Sequence, residues 1–401
     1  MSRRDCADPR VSIHLDDGRS FARHTGQKYD LAVYALVDSL VLHSGYSSLR
    51  LENFLFTAEA FRDVKQVLQP DGLFVVYNYF RQGWVVARLA AMAEQAFGVK
   101  PLVFNLPYRE EIKASDSQKD QWTVLIAGSD AGRLGAIRAR FAEQGSFWVS
   151  EEPQRGERIN SFGMKAPGSG FLRVAPARVE ATAGEALPRD DWPHLYLREP
   201  AIPWAPIGQG MLAVAALSLA ILLAFAPPGR VRPNAQMFFL GAGFMLLETK
   251  AVVHMALLFG STWVVNSVVF FAILVMILCA NLYVLQRPPQ RLAPYYALLI
   301  AGLLINALVP LSAFLDLSPL ARTVSSSLVV FLPVFFAGVI FATMFAKSTA
   351  PDVDLGSNVA GIILGGLSEQ LSLVIGFNYL LFVAIAYYLL SALLRPKAAI
   401  P

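Results

Sequence analysis

The sequence predicts an α/β segment fused to an α-helical transmembrane bundle, and three observations predict it. Charged residues crowd the stretch up to about Glu199 and nearly vanish after it, in a chain of 401 residues that is 55% hydrophobic and 16% charged. An average soluble domain is nearer a quarter charged. A series of apolar runs approaching membrane-spanning length follows that boundary. Before it, β-rich and helix-periodic stretches alternate. The expected division is an α/β domain over 1–145, a linker with domain-closing loops over 146–203, and a multi-span helical domain over 204–401.

In the first part, Val11–Leu15 alternates and predicts a strand ending at Asp16-Asp17-Gly18. Tyr29–Leu36 is a β-rich run after the Thr25-Gly26 turn. Phe54, Leu55, Ala58, Phe61, Val64 and Leu68 lie on one helical stripe, predicting a helix over Phe54–Leu68 stopped by Gln69-Pro70-Asp71-Gly72. Leu73–Tyr77 predicts a buried strand, Gly83–Phe97 a helix and Trp122–Ala127 a further strand. The alternation implies a sheet of parallel character. The stretch 145–200 is rich in Pro and Gly and predicts loops. Ligands of such sheets sit beyond the carboxyl ends of strands. Asp16, Asp17 and Gly18 lie at one such end and Asp38 just past another. An acid there suits a ribose hydroxyl, an amine or an adenine amino group, but it equally suits a strand-ending turn or a cap. No strand with a Gly-rich turn precedes Val11, where an adenosyl site of this class opens. The segment is therefore expected to be the later part of a larger domain in a fragment of a longer protein.

In the second part, seven runs satisfy the requirement of roughly 20 apolar residues for about 30 Å of hydrocarbon. They are Ile207–Ala226, Gln236–Leu258, Trp263–Leu285, Leu292–Phe314, Ser325–Ala346, Gly356–Leu373 and Tyr379–Leu394. The sixth is the most polar, holding Asn358, Ser368 and Glu369, and re-entry is its alternative to spanning. Its Gly361, Gly365 and Gly366 suit close helix packing. Glu248, Lys250 and His254 fall in the second run and Glu369 in the sixth. A charge at that depth costs at least about 3 kcal/mol unless paired or facing a polar cavity. Lys250 and His254 share a face, whereas Glu248 and Lys250 diverge, so each needs a partner on another helix. Glu369 is the expected ion-pair partner of Lys250. The arrangement serves either a substrate or ion cavity or a buried pair that fixes helix register. Asn266, Asn281, Asn306 and Asn358 add interhelical hydrogen-bonding capacity.

Other classes recede. The net charge of +4 comes without a basic run, which argues against nucleic acid. Five scattered histidines and two distant cysteines give neither a metal cluster nor a disulfide framework. Met1–Arg10 is polar and does not have the pattern of a signal peptide. The expected partners are the lipid bilayer and a small molecule, and the expected location is integral and multi-pass, in a bacterial inner membrane. If all seven runs cross, Arg230, Arg232, Arg287, Arg291, Lys347, Arg395 and Lys397 collect on one side and Arg322 on the other. The positive-inside rule places the basic side in the cytoplasm and the α/β segment outside, whereas a nucleotide-type substrate calls for it inside. The side stays open.

Several stretches carry a family resemblance. Asp8-Pro-Arg-Val, Asp16-Asp-Gly-Arg-Ser-Phe, Lys28-Tyr-Asp-Leu-Ala-Val and Leu68-Gln-Pro-Asp-Gly-Leu-Phe-Val-Val resemble the later half of a spermidine synthase catalytic domain. Asp190-Asp191-Trp192-Pro193 resembles the motif that closes it. Leu247-Glu-Thr-Lys, Phe259-Gly-Ser-Thr-Trp-Val-Val-Asn-Ser, Gly356-Ser-Asn and Gly365-Gly-Leu-Ser-Glu resemble the multi-span part of membrane-bound spermidine synthase-like proteins. The resemblance implies a partial Rossmann-like, methyltransferase-type fold. It also implies aminopropyl transfer from decarboxylated S-adenosylmethionine to a polyamine, with Asp17 helping to hold the nucleoside and Asp38 contacting the polyamine amine. S-adenosylmethionine and methyl transfer are the alternative co-substrate and reaction. A non-catalytic transport or sensing protein is a further alternative. Ala35 stands where the family carries the acid that accepts the amine proton, and alanine has no titratable group.

Overall fold

The computed structural model describes residues 8–14, 17–37, 54–117, 121–151, 160–163, 170–181, 185–225, 233–260, 263–309, 312–315 and 317–394. The chain forms two compact units. One comprises Met1–Val37, Ala58–Thr182 and Phe259–Thr262, and the other Asp38–Thr57, Ala183–Leu258 and Trp263–Pro401.

The first unit is α/β. Its elements are α1 (Gly18–His24), β1 (Tyr29–Ala35), α2 (Ala58–Gln66), β2 (Leu68–Asn78), α3 (Gly83–Phe97), β3 (Leu102–Leu106), β4 (Glu111–Ile112), β5 (Trp122–Gly128) and α4 (Ala131–Glu143). Strands β6 (Ser146–Ser150), β7 (Asn160–Gly163), β8 (Phe171–Val174) and β9 (Pro176–Val179) follow. The main sheet has the order β1-β2-β5-β3-β9-β4. This mixed sheet with helices fits a Rossmann-like, methyltransferase-type domain. Its core faces α2 and α3 through Phe61 and Phe97, which meet Phe74 of β2 at ring-centroid distances of 5.1 and 6.0 Å. On the opposite face Leu102 and Phe104 pack with Leu134 of α4.

Four expectations need correction. The sheet is not parallel throughout. β1 and β2 pair in parallel, but β5 lies antiparallel to both β2 and β3. Helix α2 supplies the crossover that a parallel neighbour needs, whereas among the described residues no helix joins β3 to β5. Val11–His14 forms no strand, and Val11 and Ile13 are exposed. An isolated extended segment leaves its backbone groups unpaired. The Gln69–Gly72 stretch does not stop a helix reaching Leu68. It is an irregularity inside β2, where Tyr29 pairs with Leu68 and Leu31 with Leu73. Pro70 is tolerated there because a bulge asks no ladder hydrogen bond of it. The stretch read as loops holds β6, β7 and β8, which form an antiparallel sheet of their own. Phe147 lies tilted against Phe162 at a ring-centroid distance of 5.1 Å, and Trp148 donates its indole N–H to the Gly163 carbonyl at 2.8 Å.

The second unit is helical: α5 (Gln209–Phe225), α6 (Ala235–Phe259), α7 (Trp263–Gln286), α8 (Ala293–Leu308), α9 (Ser312–Leu315), α10 (Pro319–Ala346), α11 (Pro351–Glu369), α12 (Ser372–Ile375) and α13 (Phe377–Leu393). Among the described residues, four stretches are long and apolar enough to cross a membrane: Ala235–Phe259, Ser267–Gln286, Leu320–Ala346 and Pro351–Ile375. The apolar helices Gln209–Ile221, Ala293–Leu308 and Phe377–Leu393 are shorter. The sixth run, the most polar, is among the four long ones.

The glycine stripe is a packing device. A Cβ on Gly361 would come 1.8 Å from the Phe238 carbonyl oxygen, and one on Gly365 would come 2.5 Å from that of Ala242. Helices α6 and α11 therefore approach backbone to backbone. Asn358 seals the contact by donating to the Met237 carbonyl at 3.0 Å. A second polar seam joins α6, α8 and α13, where Ser391 bonds both the Tyr296 hydroxyl and the Gln236 carbonyl at 2.8 Å.

Candidate functional site

In the α/β unit the predicted ligand acids divide. Asp16 and Asp38 lie outside the described residues. Asp17 is the N-cap of α1, and its carboxylate accepts from the Arg19 and Ser20 backbone N–H groups at 3.1 and 2.9 Å. That use satisfies the donors a helix start leaves open. Gly18 is the first residue of the helix. Gly260, whose φ of +91° suits glycine, lies against Asp17, and a Cβ there would come within 2.6 Å of the Asp17 Cβ. A nucleoside at Asp17 would have to share the carboxylate with the cap and the space with Gly260.

Ala35 is the last residue of β1 and sits opposite Tyr77 of β2. It therefore lies at the carboxyl edge of the two parallel strands, where ligands of such sheets collect. Leu36 follows with a φ of +51° and is half exposed. A left-handed leucine stores strain of the kind that concentrates at functional sites. Beneath this edge, Asp63 holds two guanidinium groups, those of Arg19 at 2.8 Å and Arg23 at 2.9 Å. Tyr34 is buried, and burial pushes its phenol up from the ordinary range.

In the helical unit the predicted polar residues are buried, but the expected pair does not form. Lys250 donates to the Asn378 side-chain oxygen at 2.7 Å rather than to Glu369. Glu369 accepts from the Thr249 hydroxyl at 3.3 Å. Adjacent residues on a helix point about 100° apart. Thr249 thus faces α11 while Lys250 faces α13, a division that spacing within α6 alone does not reveal. Lys250 is 3% exposed and Glu369 6%. His254 is buried, and the Asn306 side chain hydrogen-bonds its ring. Glu248 is only partly buried.

Residues missed as site candidates complete the arrangement. Asn378 receives Lys250 through its side chain, and its backbone N–H donates to the Asp191 carboxylate at 2.6 Å. The Asp191 carbonyl accepts from the Phe377 N–H, Trp192 donates its indole N–H to the Leu373 carbonyl, and Asp190 accepts from Thr57 at 2.8 Å. The Asp190-Asp191-Trp192-Pro193 motif thus caps the start of α13 and reaches Lys250 through one carboxamide. A polar residue at the head of an apolar run was the available signal for Asn378. His194, beside Trp192, is buried, and burial pushes its imidazole down to about 4.

In the helical arrangement Lys250 is held by the Asn378 carboxamide, and Glu369 accepts from the Thr249 hydroxyl. Among the described residues, no group of three or more His, Cys, Asp or Glu could hold a metal ion. No curated protein and no solved structure matches the chain. Residues 1–115 match the family model described as the spermine/spermidine synthase domain, which supports a spermidine synthase-like character for the α/β unit.

Proposed function

We propose that this chain is a multi-pass membrane protein of spermidine synthase-like make that binds a polyamine or nucleoside-type ligand on its α/β unit without carrying out aminopropyl transfer. The domains fall at 1–145, 146–203 and 204–401, with the apolar helices of the last as spans. The observation that carries this reading is Ala35 at the carboxyl edge of β1. Aminopropyl transfer needs a base within reach of the attacking amine's proton, and a methyl group accepts none. Glu248, Lys250, His254 and Glu369 serve helix register in this reading, and the ligand acids are Asp16, Asp17 and Asp38.

The test uses the full chain in lipid nanodiscs. Spermidine binding by calorimetry is expected, with no release of methylthioadenosine from decarboxylated S-adenosylmethionine and putrescine. Ala35→Asp is expected to raise release above the wild-type background if the remaining acids are in place. Turnover by the wild type would overturn the reading. Absence of any ligand binding by folded protein would overturn it equally.

A second reading, transfer by the unaltered chain, is favoured by the domain match over residues 1–115. It requires another group to take the amine proton, and wild-type turnover would establish it. Methyl transfer from S-adenosylmethionine itself is separated by which nucleoside product appears.

A further inference from the structure

Between α6, α7, α10 and α11 lies a cavity of about 190 Å³ lined by Leu240, Ile277, Asn281, Ala337, Phe341 and Asn358, among others. No ionisable side chain lines it. An apolar cavity of about 150 Å³ stays dry and accepts a benzene-sized guest. This one is larger, and it adds two carboxamides to otherwise apolar walls. Asn358 commits its nitrogen to the Met237 carbonyl. Asn281 is exposed, and its side chain makes no hydrogen bond among the described residues.

The lining residues share one depth. Leu240 and Asn358 follow the starts of α6 and α11, and Ile277, Asn281, Ala337 and Phe341 precede the ends of α7 and α10. Helix rise places them about 8 to 14 Å from those ends, within one half of a hydrocarbon layer about 30 Å thick. Asn281 is among the shallowest. The ends belong to one face, because Lys347 after α10 donates to the Pro289 carbonyl after α7 at 3.0 Å. That face also carries Arg287 and Arg291, both exposed. Asp352 and Asp354 at the start of α11 oppose them in sign, and Asp354 is engaged by the Asn234 side chain at 2.7 Å. The outer side of α7 is open, with Phe271 and Leu274 exposed by 68% and 65%.

We infer that this cavity is a lipid site that takes one chain of an anionic amphiphile, with the carboxamide of Asn281 at the carbonyl level and Arg287 and Arg291 at the head. The inference rests on the membrane reading above. An apolar volume open to the acyl layer is filled by hydrocarbon rather than water. A shallow unbonded amide gains a hydrogen bond from an ester or carboxyl oxygen. Exposed arginines attract an anionic head.

The experiment is photolabelling of the full chain in nanodiscs, with a diazirine placed in the chain of phosphatidylglycerol, of phosphatidylcholine, or of a free fatty acid. Phosphatidylglycerol is expected to label peptides holding Ile277 and Phe341. Ala337→Phe, which fills the volume, is expected to cut that labelling about tenfold. Arg287→Gln with Arg291→Gln should remove the preference over phosphatidylcholine while leaving the fold untouched. Asn281→Leu is a milder variant on an exposed position and should lower labelling in the same peptides. Stronger labelling by the fatty acid would assign the site to a single-chain amphiphile. Labelling spread evenly over the outer face of α7 and unchanged in Ala337→Phe and Asn281→Leu would overturn the site. Carbonate extraction separates the two readings: a chain released from membranes defeats the membrane reading, whereas a retained but unlabelled chain defeats only the lipid site.

Discussion

The α/β unit and the helical unit handle buried charge through different partners. In the first, Arg19 at 4% side-chain exposure is answered by a full opposite charge, Asp63, which Arg23 shares. In the second, Lys250 at 3% exposure meets a carboxamide that links it to the Asp191 carboxylate, and Glu369 accepts from a hydroxyl. A charge taken out of water depends on the partners it keeps, and a direct opposite charge gives more Coulomb energy than an amide dipole. Polar residues of the helical unit should therefore be less replaceable one at a time.

The largest effect should come from Asn378→Leu, which removes the acceptor of Lys250 and leaves a buried ammonium. It is expected to destabilise the helical unit by about 3–5 kcal/mol, read by denaturant titration in detergent. Lys250→Met should be much milder, since an apolar replacement also removes the charge that needed an acceptor. Equal effects from the two would break the comparison.

Next comes Asp63→Ala, expected to cost the α/β unit about 3 kcal/mol because it takes the shared carboxylate from Arg19 and Arg23. Calorimetry on the full chain should show the loss in one transition.

His194 gives a pH test. Burial holds its folded-state value at about 4 against an ordinary 6.5. The unfolded chain binds the proton first, so this contribution to stability is complete above about pH 6.5 and drains as pH falls toward about 4. Between about pH 7 and pH 4.5 the loss should be about 2 kcal/mol. His194→Phe should flatten that slope, and an unchanged slope would remove His194 from the account.

The smallest effect is Asp17→Ala, worth about 1 kcal/mol as a lost helix cap. If binding of a nucleoside falls by far more than stability does, Asp17 has a ligand role beyond the cap.

Legibility followed what periodicity can report. Helix α3 spans Gly83–Phe97, as the sequence predicts, and β1 and β5 lie where β-rich runs place them. The apolar runs all contain helices. Periodicity identifies an apolar face but not its neighbour, so the antiparallel insertion of β5 and the pairing of Lys250 with Asn378 were not readable. Turn residues misled where Gln69–Gly72 forms an irregularity within a strand and where glycines and prolines mask β6–β9. Of the candidate ligand residues, Asp17 was found with a structural duty, the Asp190-Asp191-Trp192-Pro193 motif was singled out without its contacts, and Asn378 was found only once helix neighbours were known.

The central claim is that the spermidine synthase-like unit binds its ligand without transferring an aminopropyl group. Methylthioadenosine release by the full chain in nanodiscs, measured with saturating putrescine and decarboxylated S-adenosylmethionine beside a spermidine binding isotherm, tests it most directly. Saturable binding with release no faster than in protein-free nanodiscs is the predicted result. Steady release that scales with protein concentration would contradict it.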